Sequence, residues 1–300
     1  MTTAATDLRQ ANLIGALWMV LAMVLFAIED ALLKQAALTV SVGQVMLCFG
    51  LGGAVVFALH LLATGQRLFH PDVLSLPMRI RVVFEVLGRL FYVLAVALAP
   101  LSSATVILQA TPLVVVAAAA LIFGEKVGWR RWMAILIGLT GVLVILRPTG
   151  DSFTMLSVLA VLGMLGFAGR DLASRAAPGT LSTSTLGLYG FLSLATAGGL
   201  FLIWEGKPLV APTQTDLGLL AIVICVGIFA YSSLMKAMRT GEVSAVTPFR
   251  YSRLLFGVGI GVVWFDESFD GYMAIGSGLI VLSGLFILWR GKQRPNPRRS

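Results

Sequence analysis

Four ionisable side chains stand in stretches that are otherwise apolar: Glu85 and Arg89, spaced i,i+4, and Arg250 and Arg253, spaced i,i+3. Either spacing puts both members on one face of a helix. Arg89 lies eight residues past Arg81, or ~12 Å further along a helix axis, so it reaches well into its segment. Charge at such depth is costly unless it meets a partner or a water-filled path. Nothing nearby would make or break bonds: the chain has no phosphate-binding Gly/Lys loop, no metal-ligand spacing around Cys48, Cys225, His60 or His70, and no Ser/His/Asp set. The chemistry open to these residues is ion pairing and the recognition of a charged or zwitterionic small molecule, with no cofactor, no metal and no direct use of ATP. Two readings follow. Either Glu85 satisfies Arg89 in a closed structural network, or Glu85, Arg89, Arg250 and Arg253 contact a substrate in a central space with a net positive excess.

Tyr92, one turn beyond Gly88 and Arg89, and Tyr231 offer rings with polar tips to the same space. Pro112 and Pro248 each remove a backbone donor within an apolar run and free the carbonyl four residues earlier, that of Leu108 and that of Ser244. In lipid such a carbonyl must be bonded again or line a cavity, and Gln109, Thr111 and Thr247 lie beside these breaks. Each proline marks either a hinge that bends during a working cycle or a static kink.

The elements that hold these residues come in two copies. Phe26, Ala27, Asp30, Lys34 and Ala36 return as Phe167, Ala168, Asp171, Arg175 and Ala177, an offset of 141 residues. The register continues through Val20, Leu21 and Met23, matched by Val161, Leu162 and Met164, and through Thr39 and Ser41, matched by Thr180 and Ser182. Ten matches in 22 positions compare with about two from ordinary composition, which identifies a duplicated unit. Asp30 with Lys34, and Asp171 with Arg175, are spaced to pair along their helices. Such pairs either anchor a helix end or serve as one gate element on each face.

At 58% hydrophobic and 12% charged residues, with a mean hydropathy of +0.93, the chain is too apolar for a soluble domain. Its segments also lack the alternation of membrane barrel strands. Runs long enough to cross ~30 Å of hydrocarbon fall around 12–36, 41–63, 80–99, 102–123 and 130–147, then around 154–176, 181–204, 215–238, 243–265 and 271–290. This predicts an all-α integral membrane protein of ten transmembrane helices, with one five-helix repeat over 12–148, a second over 153–290 and a basic tail over 291–300. An odd number of spans per unit inverts the second relative to the first. With the N-terminus inside, 16 of the 22 Lys and Arg fall on the inner side, three on the outer side and three within spans, so both termini are expected in the cytoplasm. Topology and lipid headgroups thereby account for the net charge of +8, and nucleic acid is not expected as a partner. The first apolar run lacks a small-residue cleavage site, so it is expected to stay in the mature protein.

The fourth and ninth spans repeat as well. Ser103-Ala104 leads to Phe123-Gly124-Glu125, and Ser244-Ala245 leads to Phe265-Asp266-Glu267. Small residues follow, Ala134, Gly138 and Gly141 in the fifth span and Ala274, Gly278 and Gly284 in the tenth. They suit close packing or a homodimer contact through helices 5 and 10. A five-helix unit whose fourth helix ends in glutamate and whose fifth carries small residues, present twice, resembles the drug/metabolite transporter superfamily in its ten-helix EamA-type branch. Within that branch the chain is similar to the YddG-type amino-acid exporters. The resemblance implies a central cavity between the two repeats, opened alternately to each side of a bacterial inner membrane. The expected function is therefore secondary transport, not enzymatic catalysis: export of small amphiphilic metabolites, foremost aromatic or hydrophobic amino acids. The alternative is proton-coupled export of another metabolite or a drug. Coupling is expected to be uniport. The first span has no carboxylate between Leu13 and Ile28, Glu29 and Asp30 fall near its hydrated end, and Arg89 would hold Glu85 in its charged form.

Overall fold

The computed structural model describes residues 2–37, 39–98, 107–146, 157–264 and 270–290, and every regular element among them is helical. In order these are α1 (Thr2–Ala36), α2 (Val42–Ala63), a 3-10 turn (Pro71–Leu74), α3 (Leu76–Leu98), α4 (Thr111–Ile122), α5 (Trp129–Leu146) and α6 (Ser157–Ala176). Then come α7 (Thr183–Glu205), α8 (Gln214–Arg239), a helical turn (Val243–Val246) running into a 3-10 turn (Thr247–Tyr251), α9 (Ser252–Trp264) and α10 (Gly271–Arg290). Asp7–Leu33, Val42–Ala63, Thr183–Glu205 and Gln214–Arg239 are long and apolar enough to span a membrane by composition alone. The fourth and ninth runs, expected as continuous spans, are broken. α4 starts at Thr111 after a turn at Gln109 and Ala110, and α9 starts beyond the 3-10 turn that contains Pro248. Ser103-Ala104, Phe265-Asp266-Glu267 and the basic tail 291–300 lie outside the described residues.

The sequence repeat extends to individual hydrogen bonds. Ser41 caps α2 by accepting from the Gln44 amide, and Ser182, its counterpart, caps α7 by accepting from the Thr185 amide. Such caps satisfy one of the free N–H groups at a helix start. The matched threonines also act alike. Thr39 donates to Asp216 in the first turn of α8, at 2.6 Å, and Thr180 donates to Asp72 in the turn that enters α3. Asp216 closes a capping box with Thr213.

Packing runs between the halves. α1 lies against α8, α2 against α7, α3 against α6 and α5 against α10, with further contacts of α1 with α9, α4 with α6, α2 with α8 and α3 with α7. Advancing every helix by five places exchanges α1/α8 with α6/α3, α1/α9 with α6/α4 and α2/α8 with α7/α3, and returns the other two pairs to themselves. Where α3 crosses α6 the backbones nearly touch, since a Cβ on Gly166 would stand 2.4 Å from the Gly88 Cα. In α5 and α10 the small residues face each other within one chain. A Cβ on Gly141 would stand 2.6 Å from the Gly276 carbonyl oxygen, and Ser283 donates to the Ala134 carbonyl at 2.6 Å. Of the two roles expected for these helices, internal packing is the one these contacts perform. In α10 it falls to Gly276 and Ser283, while Ala274 and Gly278 are exposed and the environment of Gly284 is not described.

The helix ends sort onto two faces. One gathers Thr39, Ser41, Thr213 and Asp216. The other gathers Asn12, which accepts from the Glu242 amide at 2.7 Å, Asp72 with Thr180, and Arg239, which donates to the Leu181 carbonyl at 2.7 Å.

Candidate functional site

A cavity lies within the bundle, walled by α1, α2, α3, α7 and α8. Its sides are the rings of Phe26, Phe49, Phe191 and Tyr231, and Glu29, Glu85 and Arg89 also face it. The space between these side chains is a set of narrow clefts, too tight in this state to hold a water molecule. The Phe191 ring organises the wall: it meets Phe49 edge-on at 5.2 Å between centroids and Tyr231 at 5.5 Å. Two glycines make room for these rings. A Cβ on Gly190 would stand 2.1 Å from the Tyr231 hydroxyl, and one on Gly227 would stand 2.3 Å from Phe49 and 3.2 Å from Glu29 Oε2.

Beside the cavity lies a buried charge network. Arg81 of α3 is fully buried. It donates to Ser174 Oγ at 2.9 Å, to the Leu186 carbonyl at 2.8 Å and to the Tyr231 hydroxyl. Tyr231 in turn donates to Glu85 at 2.6 Å, and Arg170 of α6 donates to Glu85 at 3.2 Å and to Asp171 at 2.8 Å. Arg250, in the 3-10 turn before α9, completes the chain by donating to Asp171. Five segments, α3, α6, α7, α8 and the 3-10 turn, are thereby tied by ions that have left water, and deleting one member of such a set typically costs ~3–5 kcal/mol because its partner stays buried and uncompensated.

The repeated motif acts as a cradle for arginine. In α1 the Arg253 guanidinium stands over the Phe26 ring at 5.3 Å while its Nε donates to Asp30 at 3.0 Å. In α6 the Arg170 guanidinium stands over the Phe167 ring at 5.0 Å and bonds Asp171. Phe and Asp at i,i+4 offer a ring face and a carboxylate on one helix side, which suits a flat cation. The motif aspartates take arginines from across the bundle, and Asp171 also takes its neighbour Arg170. Asp30 binds Arg253 and Asp171 binds Arg170 and Arg250, not Arg175. The side chain of Lys34 lies outside the described residues.

At the proline breaks, the carbonyl freed at Leu108 by Pro112 accepts from the Thr111 hydroxyl. Near the other break, Glu125 presents Oε1 to the Val243 amide at 2.9 Å and Oε2 to the Ser244 amide at 3.0 Å. Gly124 turns the chain out of α4 at φ +64°, a backbone state that glycine adopts without penalty. Arg131 secures the same junction by donating to Ser244 Oγ at 2.5 Å and to Glu242. The Gly-Glu pair of the sequence is thus a clamp on the start of the broken helix.

Of the residues expected around a central space, Glu85, Arg89 and Tyr231 line the cavity. Tyr92 instead packs edge-on against Phe167, Thr111 bonds its own turn, Gln109 sits in the turn before α4, and Arg250 and Arg253 are drawn off to the motif aspartates. Glu85 is not satisfied by Arg89: it is held by Arg81, Arg170 and Tyr231. Arg89 lies over Phe167 at 5.7 Å, and its Nε has no partner among the described residues. Glu29, expected near water, is 2% exposed and its Oε2 likewise lacks a partner. α1 runs on to Ala36, which leaves Glu29 nearly two turns inside. An unpaired buried polar atom costs roughly 1–3 kcal/mol. Of the two premises for uniport, a hydrated Glu29 is not met, while the charge of Glu85 is balanced by Arg81 and Arg170 in place of Arg89. Arg81 and Arg170, two of the 16 basic residues that the sequence counts on the inner side, are core residues. The signals for them were the i,i+4 relation of Arg81 to Glu85 and of Arg170 to Ser174 on the buried face of α6.

The EamA-like transporter family matches residues 13–147 and again residues 154–289. A riboflavin transporter of Rhizobium johnstonii is 27% identical over 280 residues, covering 92% of this chain and 91% of that protein. The pseudopaline exporter CntI of Pseudomonas aeruginosa is 28% identical over 275 residues, 90% of this chain and 94% of that protein. An S-adenosylmethionine uptake transporter of Rickettsia prowazekii is 26% identical over 206 residues, 69% of each. One crystal structure shares the fold with a TM-score of 0.78 at 24% identity, over 95% of this chain and 99% of that chain.

Proposed function

This chain belongs to the EamA-like transporter family of the drug/metabolite transporter superfamily, and from that premise we propose that it exports small amphiphilic metabolites, foremost aromatic or hydrophobic amino acids, by alternating access through the central cavity. Family membership makes it a multi-pass membrane transporter rather than an enzyme. Cargo differs among the relatives, whose names specify riboflavin, pseudopaline and S-adenosylmethionine, so the cargo here is read from the cavity. The observation that carries the reading is a narrow space with four aromatic walls and two charged side chains, the buried Glu29 and the half-buried Arg89, each with a buried atom that has no partner among the described residues. A molecule with charged ends and an apolar body complements such a space.

The two halves, 12–148 and 153–290, act in this reading as inverted repeats in a bacterial inner membrane with both termini cytoplasmic. The exchange of packing pairs between halves and the division of loop charges, 14 to 3 once the core residues Arg81 and Arg170 are set aside from the 16, support it. The broken fourth and ninth helices, at Pro112 and Pro248, serve as hinges beside the site. Reconstitution into liposomes with a panel of labelled amino acids tests the function. Saturable flux of phenylalanine or leucine is expected, and a panel that stays at the level of protein-free liposomes would overturn the reading. Strong labelling of a cysteine placed at position 296 by an impermeant reagent outside intact cells would overturn the orientation.

The burial of Glu29 favours proton-coupled transport as a second reading, because a carboxylate in the path can exchange a proton for substrate. Substrate-dependent pH change inside liposomes, abolished by Glu29→Gln, distinguishes it from uniport.

A further inference from the structure

We propose that Glu29 and Arg89 are the two poles of a zwitterion site, Glu29 receiving the ammonium group of the substrate and Arg89 its carboxylate, with the apolar body held among Phe26, Phe49, Phe191 and Tyr231. The inference rests on the transport reading above and names the atoms that would select the cargo. It follows from which charges the bundle leaves open. Asp30 is taken by Arg253, Asp171 by Arg170 and Arg250, and Glu85 by Arg81, Arg170 and Tyr231. Among the described residues the other buried side-chain atoms without partners are the hydroxyls of Ser75, Thr247 and Tyr251 and one nitrogen of Arg81. None of those side chains walls the cavity, and Arg81 is otherwise fully engaged. Glu29 and Arg89 alone combine an unpartnered atom with a place on the cavity wall.

The two side chains come to the same space from different helices. Glu29 projects from α1, beside Gly227, where a Cβ would stand 3.2 Å from its Oε2. Arg89 projects from α3, with its guanidinium resting on Phe167 of α6. One negative and one positive pole give a dipolar space with no net charge of its own, which disfavours a simple cation or anion relative to a molecule carrying both. The repeat underlines the point. Position 29 of the first copy corresponds to position 170 of the second, so Glu29 is matched by Arg170, the one place in the motif where the copies carry opposite charges. Arg170 is fully paired within the protein, and Glu29 keeps an oxygen for something else.

The test uses three probes that differ only at their ends: L-phenylalanine, phenylpropionate, which lacks the ammonium, and phenylethylamine, which lacks the carboxylate. Binding is measured on the full chain in lipid nanodiscs, alongside thermal unfolding of each variant. Glu29→Gln is expected to weaken phenylalanine binding by about 10- to 100-fold, as for loss of a charged hydrogen bond, while leaving phenylpropionate unchanged. Arg89→Gln is expected to weaken phenylalanine similarly while leaving phenylethylamine unchanged. Glu29→Asp should recover part of the lost affinity. Equal loss for all three probes in Glu29→Gln, or no loss for any, would overturn the pole assignment and leave the transport reading standing. Wild-type protein that neither binds nor moves phenylalanine would instead remove the amino-acid reading on which the assignment rests.

Discussion

Asp30 and Asp171 occupy the same place in two copies of one motif, and a single turn of chain holds both, Arg250 reaching Asp171 and Arg253 reaching Asp30. Beyond them α1 runs on for six residues and α6 for five, to ends that lie on opposite faces. Both pairs therefore hang on one short segment beside Pro248, and if they act as gates that segment touches both at once. Movement at Pro248 that loosens one pair bears directly on the other.

Opening either gate should expose the cavity to one side only. With Cys48 and Cys225 replaced by serine and Leu194→Cys as reporter on the cavity wall, Arg253→Ala is expected to raise labelling from the face that carries Ser41 and Thr213. Asp171→Asn should raise it from the face that carries Asp72 and Glu242. Loss of ~1–2 kcal/mol at a gate shifts the equilibrium about fivefold or more, which labelling rates in right-side-out and inside-out vesicles resolve. Equal increases from both faces in either variant would refute the two-gate arrangement.

Arg81→Met should lower stability by ~3–5 kcal/mol, since Glu85 stays buried with less compensation. Arg81→Lys should recover little, because one ammonium cannot reach Ser174, the Leu186 carbonyl and Tyr231 together. Unfolding in detergent monitored by circular dichroism measures both. A lysine variant as stable as wild type would show that charge alone, not the fork, is what the network needs.

Gly190→Ala is expected to destabilise by ~1–3 kcal/mol through overpacking against the Tyr231 hydroxyl. Removing that hydroxyl in Tyr231→Phe takes away the nearest atom but leaves the ring carbon Cζ 2.5 Å away, so the double variant is expected to lose somewhat less than the two single losses added together. Strict additivity would mean that the ring moves away without cost.

Glu125→Ala removes both acceptors that hold Val243 and Ser244 and should cost ~0.5–2 kcal/mol, as for other caps. Glu125→Gln keeps one acceptor and should fall between. If the clamp sets the geometry of the ninth helix, initial rates of flux should fall in the same order, glutamate above glutamine above alanine. A glutamine variant less active than alanine would contradict it.

The duplicated unit was legible because hydrogen bonds and caps constrain particular residue types: Thr39, Ser41, Thr180 and Ser182 keep their identities since each does the same job twice. Ion partners were not legible. Spacing along one helix suggested Asp30 with Lys34 and Glu85 with Arg89, yet long side chains reach neighbouring helices as easily as the next turn, and Asp30 meets a residue 223 positions away. Glu29 was misplaced because Asp30 beside it looked like the edge of the apolar region, whereas α1 continues to Ala36 and carries Glu29 inward. The cavity wall suffered from the same limit. Phe26, Phe49 and Phe191 are three of 17 phenylalanines, and a single sequence does not say which of them face inward.

The pairing of helices between halves has a consequence for biosynthesis. α3 enters the translocation machinery with Arg81 and Glu85 while Ser174, Leu186 and Tyr231 are still 93, 105 and 150 residues from Arg81 along the nascent chain. Until those residues emerge, two charges must be sheltered at the edge of the bilayer or by the insertase. The first half thus leaves the ribosome as an unfinished surface, and a stop codon in the connector between α5 and α6 would yield a fragment in which Arg81 keeps Glu85 as an ion partner but lacks Ser174, the Leu186 carbonyl and Tyr231.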